Sequence, residues 1–158
     1  MAFSGQERGD QWPGSRVIAA QKANTANAFS LKGLALSTAN LYSAVQPGGS
    51  LYGLQFSNPV NTAVAYGGDA AEYGTAADPM VGQRVGGVNI FGGGLALYSK
   101  DGIVGGLGVS GDSACADHNV AWRVRQALAL AAVSGGARKA NPDAIIYAVV
   151  KGNSQRGF

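Results

Sequence analysis

Gly86-Gly87-Val88-Asn89-Ile90-Phe91-Gly92-Gly93-Gly94-Leu95-Ala96-Leu97-Tyr98 is followed, after Ser99-Lys100, by Asp101-Gly102-Ile103-Val104-Gly105-Gly106-Leu107-Gly108-Val109-Ser110-Gly111-Asp112. Two short apolar runs are hinged by a triple glycine. A turn and a glycine-punctuated apolar run follow, ending in a Ser-Gly-Asp that opens a helix. Apolar, β-rich runs bounded by glycine and polar residues predict strands, here at Val88–Phe91, Leu95–Ser99 and Ile103–Val109. Lys100-Asp101-Gly102 supplies a hairpin turn between the last two. Asp112 or Ser113 can cap a helix running from about Ala114 to Ala132, which Gly135-Gly136 stops. Ala144–Val150 reads as a final strand ahead of a polar tail, Lys151–Phe158.

Upstream, Met1–Ser4 reads as the tail of a strand and Gln6–Gly14 as a polar loop. Ser15 is an N-cap candidate for a helix to about Phe29. Ile18, Lys22, Thr25 and Phe29 share one stripe of it, and Ala19, Ala23 and Ala26 a neighbouring one that would let the helix approach a sheet closely. A short helix is expected over Thr38–Val45, ended by Pro47-Gly48-Gly49. Leu51–Val85 is irregular, with a short helical turn near Tyr52. The expectation is one domain over residues 1–158 with an irregular insertion at about 50–86. A segment of that kind is either functional or a variable insertion.

Composition narrows the function classes. Hydrophobic residues make up 46% of the 158 and charged residues only 13%, which argues against disorder and favours a chain that buries surface in an oligomer. The net charge is +3 without a dense Lys/Arg run, so nucleic acid is not expected as a partner. No apolar run approaches the roughly 20 residues of a membrane span. No signal-peptide pattern starts at Met1, which leaves the cytoplasm as the default location. One cysteine, Cys115, excludes an intrachain disulfide. Glycine, at 25 residues, clusters beside the strands, where a missing side chain permits close backbone approach.

The glycine-rich block resembles the signature of the GlcG/HbpS-like family, which includes heme-binding proteins. Ala20-Gln21-Lys22-Ala23-Asn24-Thr25-Ala26 with Phe29 resembles that family's Lys-Ala-x-Thr-Ala helix. The two blocks cover roughly half the chain in the family's order. The resemblance implies an α/β domain of the α+β type: a profilin-like antiparallel sheet covered by helices. It also implies a helix and a complete first strand before Met1–Ser4. Those elements are expected to be missing or supplied by another chain, or their place taken by Ala144–Val150.

Three groups could carry chemistry. His118, Trp122 and Arg125 form one stripe of the helix from Ala114, while Val120, Val124, Ala127 and Ala131 lie nearly opposite and are expected to face the sheet. His118 and Trp122 would then point outward, to a ligand or an interface. His118 is a possible heme iron ligand, Trp122 could cover a porphyrin edge, and Arg125 could pair with a propionate. A capping or interface histidine is the plainer alternative. The family often carries an acidic residue near this position, so the resemblance does not transfer an iron ligand. Lys22 and Thr25 match the family motif and could hold a carboxylate; alternatively Lys22 reaches solvent and Thr25 bonds back to the preceding turn. Gly92, Gly93 and Gly94, with Ser110 and Asp112, could offer amides to an anion, or serve turn geometry alone. No second histidine and no second cysteine supports a metal site, though His118 lies three residues beyond Cys115.

The leading expectation is an oligomeric small-ligand-binding protein, with heme or a related tetrapyrrole as its cofactor. An enzyme acting on a carboxylate substrate through Lys22 and Thr25, with His118 as a further candidate, is the alternative, and an assembly subunit the third. The partners expected are a small molecule and either a second copy or a completing chain.

Overall fold

The computed structural model describes residues 12, 14–136, 140–146, 149–150 and 153–154. Met1–Ser4 and most of the polar tail lie outside the described residues. Helix α1 spans Ser15–Phe29, α2 Thr38–Leu41, α3 Leu54–Ser57, α4 Thr62–Ala65 and α5 Ala114–Ala127. Strands β1 (Gly94–Ser99) and β2 (Gly102–Gly108) form an antiparallel hairpin, and the two-residue strands β3 (Val149–Val150) and β4 (Asn153–Ser154) pair separately. The fold is a mixed helix-and-sheet arrangement in which α1 lies across β1 and β2 and α5 packs against β1.

The hairpin closes through Lys100-Asp101, with Ser99 opposite Gly102. The register slips between Leu97 and Tyr98, which face Gly105 and Ile103, so Val104 is the extra residue of a bulge. The glycines of β2 explain the α1 contact. A Cβ on Gly106 would strike the Ala23 carbonyl, and one on Gly108 the Ala19 carbonyl. The alanine stripe therefore meets a glycine stripe, and helix and sheet backbones touch.

Two small apolar clusters fill the rest: Ala35, Ala96 and Tyr98 on one side, and Leu41, Val45 and Ile90 on the other. The Tyr98 hydroxyl donates to the Leu31 carbonyl at 2.9 Å.

Three expectations change. Val88–Phe91 joins no ladder, because side chains take its backbone groups: Asn89 N donates to Thr25 Oγ1 at 3.0 Å, and the Phe91 carbonyl accepts from Thr38 Oγ1. Helix α5 ends at Ala127, not Ala132. Ala129 is left-handed (φ 54°), and the chain then runs along the outer edge of β1. There Tyr98 N donates to Leu130 O and Ala132 N to Tyr98 O. That edge would otherwise carry unpaired amides, so its hydrogen bonds outweigh five more residues of helix. Of Ala144–Val150, the described residues 144–146 are irregular and only Val149–Val150 is strand.

The 51–85 segment is a chain of single turns: α3, α4 and a 3-10 turn at Ala70–Glu72. Buried Arg16 grips it. Its guanidinium makes two bonds to Asp78, one to the Ala65 carbonyl at 2.7 Å, and lies 3.7 Å from the Tyr73 ring centre. Burial alone would raise the Asp78 carboxyl, but Arg16 and the Gly74 and Met80 amides outweigh it and hold it at about 2.

Candidate functional site

The site grows from the start of α5. Ser113 is its N-cap, its hydroxyl accepting from Ala116 N at 3.3 Å. This cap fixes the helix phase so that Asp117, His118, Ala121 and Arg125 turn inward. The expected orientation is reversed. Val120 and Val124 are 49% and 37% exposed and Ala127 is exposed, whereas His118 and Arg125 are 2% and 1% exposed. The reason is electrostatic. The inward face carries two buried charged residues, Asp117 and Arg125, each paired with an opposite charge from elsewhere in the chain.

The first is Asp117. Lys22 Nζ donates to Asp117 Oδ2 and to the Val109 carbonyl, each at 2.9 Å, and Asp112 N donates to Asp117 Oδ1 at 3.0 Å. Lys22 does not reach solvent; it is 2% exposed. Burial lowers its pKa from the ordinary lysine range, and Asp117 opposes that shift. The second is Arg125, whose guanidinium forks onto Asp143 at 2.5 and 2.9 Å and donates to the Ala96 carbonyl. Arg125 is therefore committed to Asp143 rather than to a ligand.

A cleft of about 420 Å³ opens beside the first pair. Trp12, Ile18 and Phe91 supply apolar walls, and Lys22, Ser110 and Asp112 polar ones. Thr25 stands one turn along α1, donating to the Gln21 carbonyl at 2.7 Å while it accepts from Asn89 N. It positions Asn89, another lining residue, rather than touching a ligand. The triple glycine is packing, not an anion cradle. Gly94 N donates to Thr38 Oγ1 and Gly93 N to His118 Nδ1, and a Cβ on Gly92 would strike the Ala114 carbonyl.

His118, Trp122 and Arg125 do gather, with His118 stacked on Trp122 at 6.3 Å and Arg125 4.8 Å from the Trp122 ring centre. They gather beneath the cleft, not in it. The described lining residues offer an ammonium, hydroxyls, carboxylates and an amide, but no imidazole, thiolate or thioether. Imidazole ligation of an iron does not fit the described lining of this cleft.

The model of the family described as haem degrading protein HbpS-like matches residues 5–126. The chain belongs to the HbpS-like family. A solved structure, Klebsiella pneumoniae protein ORFY of the DUF336 family, shares the fold with this HbpS-like chain at a TM-score of 0.52 and 27% identity. The match covers 78% of this chain and 64% of that one, so this chain spans less than two thirds of its neighbour. No curated protein matches. The matched region contains Lys22, Asp117 and His118 but not Asp143.

Asp117 and Asp143 went unread in the sequence. Asp117 had a signal: it is the acidic residue in the first turn of the helix that Ser113 caps. Asp143, in an Asn-Pro-Asp turn, had none.

Proposed function

We propose that this HbpS-like chain binds a flat, largely apolar molecule bearing a carboxylate, with heme or a related tetrapyrrole as the leading candidate. One observation carries the reading. An ammonium has three hydrogens, and Lys22 gives two of them to Val109 and Asp117 at the base of the cleft. The third has no partner among the described residues. A ligand carboxylate would take it, with the ring system against Trp12, Ile18 and Phe91. The family description supports the tetrapyrrole, and the Lys22 ammonium at the base of the cleft supports recognition through a carboxylate.

Titration with hemin and with metal-free protoporphyrin IX tests this. Both should saturate at a defined stoichiometry. Lys22→Met should weaken each by about tenfold to a hundredfold, since hydrogen bonds to charged groups contribute about 1.5–3 kcal/mol. Binding of hemin alone, unaffected by Lys22→Met, would overturn the reading.

The enzymatic reading keeps one supporting observation: burial lowers the Lys22 pKa, which is what a proton-accepting amine needs. Association with a second copy is supported by Val120, Val124 and Leu128, an exposed apolar stripe along α5.

A further inference from the structure

His118 is a buried titratable group that does not line the cleft. Its Nδ1 accepts from Gly93 N at 3.4 Å, and the buried ring also lies against the Asp143 backbone. Since Nδ1 accepts, the ring proton of the neutral imidazole sits on Nε2. Gly93 is also the floor of the ion pair. It has φ 119°, and a Cβ there would come within 3.0 Å of Asp117 Cβ and 3.2 Å of Lys22 Nζ. Its carbonyl accepts from Val109 N at 3.0 Å, and the Val109 carbonyl is the second acceptor of Lys22. The contacts run without a break: His118 to the Gly93 amide, the Gly93 carbonyl to Val109, and Val109 to Lys22.

We propose that His118 is a positioning residue for the cleft: its imidazole accepts the Gly93 amide hydrogen and so fixes the turn that sets the Lys22 ammonium against Asp117. The proposal rests on the reading of the cleft as the ligand site, but its structural half is measurable without ligand. A buried glycine amide has few ways to be satisfied, and one left without an acceptor carries its full desolvation penalty. The charged groups around the ring are Asp143, Arg125 and Lys22, with Asp117 next to it on α5.

The test uses the full chain labelled with 15N. In the wild type, a scalar coupling across the hydrogen bond should link the Gly93 amide nitrogen to His118 Nδ1, and the Nδ1 resonance should have the shift of an unprotonated ring nitrogen. His118→Asn places Oδ1 where Nδ1 stood, keeping an acceptor; His118→Leu removes it. Protoporphyrin IX affinity should fall about tenfold in His118→Leu and recover to within about threefold of wild type in His118→Asn, since one hydrogen bond is worth about 0.5–1.5 kcal/mol. The Lys22 15Nζ resonance should move in His118→Leu and stay in place in His118→Asn, with or without porphyrin. If the coupling is absent, or if the Asn and Leu variants shift Lys22 alike, the proposal is wrong. If the coupling and the Lys22 response appear while no porphyrin binds, the ligand reading fails and the positioning role stands.

Discussion

Three glycines of β2 separate the packing argument from any general property of glycine. At Gly108 an added Cβ would lie 2.7 Å from Ala23 N and 2.9 Å from Ala19 C, and nearer still to the Ala19 carbonyl oxygen. At Gly106 it would lie 3.1 Å from Ala23 C and from Asn27 Cβ, and nearer to the Ala23 carbonyl oxygen. At Gly105 it would meet nothing within 4 Å, and no left-handed φ forbids it. The obstacles at 106 and 108 are helix backbone, so relief requires lifting α1 off the sheet. Overpacking of that kind costs about 1–3 kcal/mol, occasionally more. In a chain of this length each kcal/mol moves the thermal midpoint by about 2–4 °C. Gly106→Ala and Gly108→Ala should therefore melt about 2–12 °C lower, with Gly108→Ala the worse. Gly105→Ala should be neutral, or up by a few degrees, because alanine restricts the unfolded chain by about 0.4–1 kcal/mol. Calorimetric melts of the three variants decide the matter. If the three melt together, α1 does not sit on β2 as described.

Burial pushes the His118 imidazole down from 6.5 to about 4, with Arg125 and Lys22 lowering it further and Asp143 opposing. A depressed value means the folded state is favoured above pH 6.5 and loses that advantage as pH falls toward 4, by about 3 kcal/mol in all; thermal midpoints of wild type should fall across that window more steeply than those of His118→Asn. Asp78, held at about 2, contributes stability above its ordinary 3.8 that is lost as pH falls between the two, and Asp78→Asn should flatten denaturant midpoints there. Val120→Lys with Val124→Lys should leave the fold within about 0.5 kcal/mol, as exposed positions do, while lowering the mass seen by light scattering if α5 is an association face.

The hairpin, its turn and α1 were legible because each is local. Periodicity gives the element, and Lys100-Asp101-Gly102 gives the turn. The small volume of the alanine stripe and of the strand glycines was legible too, but that Ala19 and Ala23 meet Gly108 and Gly106 was not. The phase of α5 was not. His118 and Trp122 on one side and Val120 and Val124 on the other suggest that the valines go inward, and transfer free energy alone agrees. What reverses it is Asp143, 18 residues beyond Arg125, and Lys22, 95 residues before Asp117. Ion pairs formed over such separations leave no periodic trace. The end of α5 was hidden for a similar reason: nothing in Leu128–Ala132 reveals that an open strand edge is waiting for it.

Three buried ion pairs among the described residues raise the question of which is chemistry and which is clamp. Arg16–Asp78 and Arg125–Asp143 are forked, and their acceptors and planes are taken: Ala65 and Tyr73 around Arg16, Ala96 and Trp122 around Arg125. Each holds an irregular segment onto a helix. Lys22–Asp117 has a single ammonium–carboxylate contact, an unpartnered ammonium hydrogen among the described residues, and a cleft beside it. Buried pairs of matched volume can be exchanged for apolar residues at little loss, whereas removing one partner costs about 3–5 kcal/mol. The clamps should obey that rule: Arg16→Met with Asp78→Leu should destabilise less than Asp78→Leu alone and leave protoporphyrin affinity unchanged. Lys22→Met with Asp117→Leu should likewise recover stability over Asp117→Leu alone, yet lose the ligand. Equal loss of binding in both double variants would mean that the cleft depends on overall stability rather than on Lys22, and the choice of site would fall.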